Sequence, residues 1–310
     1  MEKARHNPLV SELLVRALTL ADVPALERLI DAQESHFDPR HKPVGSAWPT
    51  NLVSGAFAEV LCLGVFEESE LVASVCLDFD QNRKKVLAEL FRLPGYEAVL
   101  AMLWNTTRDE HRPKLEGWLW WPTVNQLDLP LQELLHASNG EPSRYYYSMS
   151  APLADRTYPT APEGVEVRLA EAPDDYADWH LCHQESFKSH HGFKPRPMAD
   201  WIDIVVNHDG YDPDGTFIAY VDGEPAGFVT CDNRSKHLNT GYINMLSVRE
   251  KFQSRGLGEL LLRWGLAYCA ELGFETADLA VDTDNVTSAL HLYEKVGFES
   301  YSGFILFEAP

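Results

Sequence analysis

The chain has 310 residues, 45% of them hydrophobic, which suits two domains of about 150 residues with ordinary buried cores. Its 26 basic and 47 acidic residues give a formal net charge of −21, which argues against nucleic acid or an anionic membrane as a partner. No apolar run approaches the roughly 18 residues of a membrane span, and the first residues lack a signal-peptide apolar region. Five scattered cysteines without C-x-x-C spacing suit buried free thiols, so we expect a cytoplasmic protein.

The first half begins with a strand and a helix. Residues 14–19 read as a short strand, and a helix is predicted from there to about Glu34 because apolar residues recur at helical spacing. Residues 62–77 read as a hairpin. Residues 145–150 predict a last strand before the proline-bearing link at 151–162.

The second half repeats this order. Residues 164–169 predict a strand, and a helix containing Trp179 and Phe187 follows a short acidic turn. Residues 217–230 read as a second hairpin, with Asp222 and Gly223 at its turn. The chain therefore begins a domain twice, which predicts a duplication with domains at 1–155 and 163–310.

A strand, a glycine turn and a helix come next. A β-capable run at residues 242–248 leads into Gln-x-x-Gly-x-Gly, and a helix is predicted from about Glu259 to Leu272. The first amides of a helix lack intrahelical partners, so glycines before them let a phosphate approach, and Arg255 adds a cation. The spacing is neither the nucleoside-triphosphate loop nor the dinucleotide fingerprint, and by itself it also suits an ordinary turn.

Two further segments follow the glycine turn. Residues 279–285 read Leu-Ala-Val-Asp-Thr-Asp-Asn, and residues 292–298 read Leu-Tyr-Glu-Lys-Val-Gly-Phe. With the glycine turn, they make the second half resemble the GNAT superfamily of N-acetyltransferases. The resemblance and the internal repeat imply an α/β (α+β) fold of two tandem GNAT-like domains, each a mixed, mostly antiparallel sheet flanked by helices.

The resemblance also implies roles for individual residues. In that family acetyl-CoA is the acyl donor, and the strand before the loop parts from its neighbour and binds the pantetheine arm, here at Leu246, Ser247 and Val248. Pyrophosphate lies on the loop amides and an asparagine adds a contact, which implies Gln253, Ser254, Arg255, Gly256, Leu257, Gly258, Glu259 and Asn285. Tyr293 stands where the family's tyrosine protonates the departing thiolate. The implied reaction is direct transfer of acetyl to a small amine.

The first half lacks such a glycine loop. Residues 112–117 look like a worn trace of it, with Leu115 in place of the first glycine, so we expect this half to keep the shape without the cofactor. The aromatic run at 118–121 predicts buried packing. The pair His190 and His191 does not predict a metal site, because adjacent side chains point apart and no further ligands are evident.

The general base and the acceptor stay open. Polar residues near the expected cleft are Tyr242, Asn244, Asp232, His237 and Glu185, and a water chain is an alternative to all of them. In duplicated members of the family a glutamate opens the strand before the loop and a tyrosine precedes the Val-Asp pair. This sequence has Tyr242 and Ala280 there, so the resemblance does not carry over their acceptor.

Two other functions fit the same motifs. The chain could be a non-catalytic acyl-CoA-binding or regulatory module, which would bind the thioester without releasing thiol. It could also be a structural protein with an ordinary glycine turn, which would retain no cofactor. The acyl chain length and the oligomeric state are open as well.

Overall fold

The computed structural model describes residues 13–55, 59–188, 190, 193–207, 210–283 and 289–310. The strands are β1 (Leu13–Ala17), β2 (Val60–Glu67), β3 (Glu70–Asp80), β4 (Lys85–Arg92), β5 (Leu119–Asn125), β6 (Glu141–Pro152), β7 (Val165–Leu169), β8 (Tyr211–Val221), β9 (Glu224–Asp232), β10 (Thr240–Val248), β11 (Thr276–Asp282) and β12 (Glu299–Glu308). The helices are α1 (Val23–Phe37), α2 (Ala47–Ser54), α3 (Glu97–His111), α4 (Leu129–Ala137), α5 (Tyr176–Phe187), α6 (Met198–Val205), α7 (Leu257–Glu271) and α8 (Ala289–Val296).

The two halves have the same succession of elements. A strand and two helices come first, then three strands, a helix, a strand, a helix and a last strand, and this order occurs once before residue 153 and once after residue 164. Each half pairs its strands antiparallel except at one parallel step, β4 with β5 and β10 with β11. The predicted α/β class, the two hairpins and the mixed, mostly antiparallel strand pairing in each half are therefore confirmed.

The halves share one sheet and exchange their last strands. Among the described residues the order is β1-β2-β3-β4-β5-β12-β6-β11-β10-β9-β8-β7. Strand β6, from the first half, lies between β11 and β12 of the second, and β12 lies between β5 and β6. Each half is thus completed by the other half's last strand.

Both faces of the second half's sheet are covered by helices. Side chains alternate along β8, so Phe217 and Ala219 join the core under α7, whereas Ile218 and Tyr220 join the core under α5 and α6. The second of these cores contains Trp179 and Trp201, whose rings meet edge to face 4.8 Å apart. The helices therefore fix both walls of any cleft that opens between neighbouring strands.

The expected interior residues are buried. Trp120 and Trp121 are 1% and 6% exposed, and Trp120 packs edge to face on Trp104 with ring centres 5.6 Å apart, as the aromatic run predicted. All five cysteines are buried and free, which confirms the prediction from their spacing.

The first half closes the end of β4 with a buried ion pair. Arg92 donates to both carboxylate oxygens of Asp128, at 2.6 and 2.7 Å, and these residues are 4% and 0% exposed. Asp128 also caps α4 by accepting from the Leu131 amide at 3.0 Å. The pair ties the end of β4 to the start of α4.

The prediction of a worn glycine loop at residues 112–117 is wrong. That segment follows α3, whereas the glycine turn of the second half precedes α7, the counterpart of α3. The true counterpart is the short β4–α3 connection at residues 93–96. Its single glycine, Gly95, is not followed by a second one, so local spacing gave no sign of it.

Breaking the buried Arg92–Asp128 ion pair should destabilise the protein strongly. We expect Asp128→Ala to lower the free energy of unfolding by up to about 3–5 kcal/mol, because the buried Arg92 guanidinium loses its bidentate partner and, among the described residues, keeps only Gln33 at 3.3 Å and Glu97 at 3.7 Å. Urea unfolding followed by tryptophan fluorescence measures it. The double variant Arg92→Met/Asp128→Ala removes both charges and should lose less than Asp128→Ala alone, and equal or larger loss would contradict the assignment.

Candidate functional site

Strand β10 parts from β11 after three residues. The parallel pairing joins Thr240, Gly241 and Tyr242 to residues 276–278, and no pairing continues beyond it. From there β10 stays bonded to β9, with a register shift between Ile243 and Met245, and β11 stays bonded to β6. A wedge therefore opens between β10 and β11 that leaves one backbone edge of residues 243–248 unpaired by β11.

The glycine turn lies at the open end of this wedge. Ser254 and Gly256 have left-handed backbones, with φ of 60° and 79°, and Gly256 is the N-cap of α7. The Gln253 side chain donates to the Val248 carbonyl at 3.0 Å, which ties the turn to the end of β10. The first α7 amides lack intrahelical acceptors, so the turn and helix form a site suited to an anion.

A cavity of about 550 Å³ extends from this turn along the wedge. It is lined by strand residues, by the turn, by α8 and by the end of α5. The lining residues are Tyr146, Ser186, Phe187, His190, Asn244, Met245, Leu246, Ser247, Val248, Phe252, Gln253, Ser254, Gly256, Leu257, Gly258, Glu259, Ala280, Val281, Asp282, Ala289, Leu292, Tyr293 and Lys295. The separate segments singled out in the sequence thus meet around one space.

Tyr293 lies on α8 and is 9% exposed. Its ring packs against Phe298 with centres 5.8 Å apart, and its phenol takes no hydrogen bond from the described residues. Burial, with a smaller contribution from Tyr242, raises the pKa of Tyr293 to about 12. The phenol is therefore protonated at neutral pH and available as a donor within the cavity.

Most of the residues expected to bind the cofactor line the cavity. Leu246 to Val248, Gln253, Ser254 and Gly256 to Glu259 line it. Arg255 does not: its side chain is exposed and its guanidinium lies 5.7 Å from the Phe252 ring centre. Asn285 falls outside the described residues.

Lys295 is the cation that sequence reasoning missed. It lines the cavity and pairs with Glu259 at 2.6 Å. It belongs to the same Leu-Tyr-Glu-Lys segment as Tyr293, so the motif contained the signal. Tyr293 and Lys295 are two residues apart, and this spacing on a helix does not predict that both side chains face one cavity.

Most of the candidate bases are committed elsewhere. Glu185 pairs with buried Arg249 at 2.7 Å, and Asp232 pairs with Arg234 at 2.6 Å. His237 lies 3.1 Å from the Pro43 carbonyl oxygen. Of the five candidates, Asn244 lines the cavity, and an amide side chain is not basic.

Tyr242 lies at the base of the wedge beside Ala280. The Arg234 guanidinium is 4.3 Å from its ring centre, and the Ala280 backbone amide lies beside its hydroxyl. Burial raises the pKa of Tyr242. Tyr242 and Ala280, the two positions at which this sequence departs from duplicated GNAT members, are thus neighbours. Both differences therefore alter the same part of the site.

The first half has a smaller cavity at the equivalent place. It measures about 320 Å³ and lies where β4 and β5 part, between Leu90 and residues 123–125. The β4–α3 connection at residues 93–96, which is the counterpart of the glycine turn, is not among the described residues that line this cavity. Glu89 lines it, and burial raises the pKa of this carboxyl to about 7.

The described residues contain no grouping of three or more His, Cys, Asp or Glu side chains that could hold a metal ion. Within the same part of the chain, no helix combines the length and the apolar character needed to cross a membrane.

Sequence comparison identifies relatives of the second half. The Acetyltransferase (GNAT) family model matches residues 174–298. A mycothiol acetyltransferase from Tsukamurella paurometabola is 31% identical over 178 residues, which cover 54% of this chain and 59% of that protein. One from Streptomyces scabiei is 33% identical over 156 residues, covering 50% of this chain and 49% of that protein. The chain therefore matches about half of each relative's length.

Solved structures share the whole fold. A GCN5-related N-acetyltransferase from Sphaerobacter thermophilus has a TM-score of 0.78 at 18% identity, covering 96% of this chain and 95% of that one. A tandem GNAT protein from the clavulanic acid biosynthesis pathway has a TM-score of 0.75 at 16% identity, covering 96% and 98%. Residues 174–298 therefore match the GNAT acetyltransferase family, and the chain as a whole shares its fold with a tandem GNAT protein.

Proposed function

We propose that the chain transfers the acetyl group of acetyl-CoA to a small amine by direct attack, with Tyr293 protonating the thiolate. The observation that carries this proposal is the cavity of about 550 Å³, which joins the glycine turn, the parted strand and Tyr293. The acceptor is proposed only as a small amine, since Tyr242 and Ala280 stand where duplicated members of the family have a glutamate and a tyrosine.

The residues present fit an acyl-CoA thioester. A Cβ built on Gly256 would meet no atom within 4 Å, so the space in front of the helix amides is open. The amides of residues 257–259 and Lys295 would meet the pyrophosphate, and the free edge of Leu246 to Val248 would bond the pantetheine amides. Arg255 and Asn285 are proposed as further contacts to the cofactor, as the family resemblance implies.

Tyr293 has the chemistry that the departing sulfur needs. Thiols and phenols have ordinary pKa values of about 8.5 and 10, so proton donation from a phenol to a thiolate is slightly uphill. Burial raises the pKa of Tyr293. Burial also disfavours a neighbouring thiolate, so it raises the pKa of the thiol in the same direction. The difference between the two groups therefore stays small.

We infer that the first half, residues 1–155, holds no acyl-CoA and that the second, residues 163–310, carries the site. The support is the short β4–α3 connection at residues 93–96, which has a single glycine and does not line the cavity of the first half. The first half would instead complete the active half structurally, since β6 forms one edge of the wedge.

A charge placed at Gly256 should weaken acetyl-CoA binding. We expect Gly256→Asp to raise the dissociation constant about tenfold or more, because its carboxylate would face the pyrophosphate at a few ångströms. Gly256→Asn is the matched control: both side chains tolerate left-handed backbone, and the amide is uncharged. Isothermal titration with acetyl-CoA measures both.

Two outcomes would contradict the proposal. One is the absence of saturable acetyl-CoA binding by the wild-type protein. The other is a dissociation constant that Gly256→Asp leaves equal to that of Gly256→Asn. Saturable binding without release of thiol to any amine would instead favour the non-catalytic acyl-CoA-binding module.

A further inference from the structure

The acceptor side of the cavity is the wall formed by the end of α5 and the facing strand residues. Leu246 and Val248 pack toward α7, whereas Met245 packs into the core under α5 and α6. Side chains alternate along a strand, so Ser247 faces α5 as Met245 does. This wall is made by Ser186, Phe187, His190 and the side chain of Ser247, whose backbone belongs to the edge proposed to hold the donor.

Two hydroxyls on this wall are buried without a partner. The Oγ atoms of Ser186 and Ser247 are inaccessible to solvent and have no hydrogen bond, and Ser247 as a whole is 8% exposed. Leaving a hydroxyl unsatisfied is costly, so such groups in a cavity point to a polar ligand. Both can accept a hydrogen bond from an acceptor N–H.

Most titratable groups that line the cavity are already engaged. Glu259 is held by Lys295 at 2.6 Å and by Arg263 at 2.9 Å, which together lower the pKa of its carboxyl. Tyr146 stacks on Phe304, and burial raises its pKa to about 12. Asp282 has the Arg144 guanidinium 3.9 Å away. With Tyr293 assigned as the acid, His190 is the titratable group left among the described residues that line the cavity.

His190 is held in place on this wall. Its backbone amide donates to the Phe187 carbonyl at 2.9 Å, and its ring lies 4.5 Å from the Phe187 ring centre. Burial lowers the pKa of the imidazole, and the facing Asp282 on β11 opposes that shift. His183 on α5 is the other titratable group whose charge interacts with it. The lowered pKa favours the neutral imidazole, which has an unprotonated ring nitrogen that can accept a proton.

We propose that His190 is the general base of the acetyl transfer and that Ser186 and Ser247 hold the acceptor amine beside it. This inference rests on the proposed function. The amine nitrogen bonds to the acetyl carbon as the carbon–sulfur bond breaks. The proton that nitrogen loses goes to the imidazole, and the thiolate takes one from Tyr293. Solvent then returns the imidazole proton to the tyrosinate, which restores both groups.

The test compares His190→Gln with His237→Gln, a histidine outside the cavity. The probe is whichever of ethanolamine, benzylamine and glycinamide gives the fastest thiol release from acetyl-CoA with the wild type. We expect His190→Gln to lower kcat/KM about 10²- to 10⁴-fold. Protonation of the amine alone lowers kcat/KM on the acid side, so His190→Gln should remove only the additional, steeper fall that appears where wild-type His190 becomes protonated. His237→Gln should leave the rate and its pH profile unchanged.

The hydroxyls have their own readout. Ser186→Ala and Ser247→Ala should each raise KM for the amine severalfold, and Ser186→Ala, which lies outside the edge proposed to hold the donor, should leave the acetyl-CoA dissociation constant unchanged. The proposal is overturned if His190→Gln keeps the wild-type pH profile, or if the serine variants leave KM for the amine unaltered. Loss of acetyl-CoA binding in the wild type itself would instead refute the proposed function, and His190 with it.

Discussion

A Tyr293→Phe variant is expected to release CoA thiol about 10²- to 10⁴-fold more slowly than the wild type, the range typical of losing a general acid. The change removes one oxygen from a side chain that is 9% exposed and leaves its ring on Phe298. The acetyl-CoA dissociation constant should therefore stay within about twofold. Thiol release under saturating donor measures the first quantity, and isothermal titration measures the second.

The control for this variant is Tyr158→Phe. Tyr158 donates to Glu271 at 2.6 Å and lies outside the cavity, so its loss should not alter turnover. Because burial raises the pKa of Tyr293 to about 12, the acid form persists through the usable alkaline range. Wild-type kcat should accordingly show no fall from this group below about pH 11. Intact turnover in Tyr293→Phe would remove the proton-donor role.

The site could be predicted from sequence where a motif fixes backbone shape. Gly256 and the helix after it predicted the turn, because a glycine turn and a helix start are local properties, whereas the parting of β10 from β11 was implied by the family resemblance. Arg255 was expected to face the anion and does not line the cavity, since side-chain direction depends on packing against Phe252. Lys295 was not expected to face the anion and does line the cavity, because its side-chain direction also depends on packing and not on the motif alone.

The acceptor wall shows the same limit. His190 was considered only as half of a metal pair, because the sequence places another histidine beside it. What gives His190 a role is its position across the cavity from α8, and that position comes from α5 packing on β9 and β10. No spacing within residues 187–193 contains this information.

Strand neighbours were the least accessible feature. Residues 145–150 were read correctly as a strand, but its partners are β11 and β12 from the far end of the chain. Alternation and propensity specify a strand and its buried face, whereas sequential strands usually pair with each other. The exchange of β6 and β12 runs against that tendency, so the boundary at 155 and 163 divides the sequence and not the sheet.

This exchange has a testable consequence for the isolated second half. Residues 163–310 alone should not fold cooperatively, because β11 and β12 both lose β6 as a neighbour. The main core also loses Met149 and Leu153, which are 2% and 3% exposed. Burying two such side chains contributes about 3–6 kcal/mol, a large share of the 5–15 kcal/mol typical of a whole domain. Circular dichroism during urea unfolding measures the effect.

Supplying the missing strand should restore the fold. The matched control expresses residues 1–162 together with 163–310, which breaks the chain at Pro162 and Glu163, both exposed, and leaves every strand present. We expect the two pieces to copurify, to unfold in one transition and to regain acetyl-CoA binding. A cooperative transition by 163–310 alone would contradict the prediction. Because β6 also borders the wedge through Tyr146, regained binding would show that the first half contributes part of the working site.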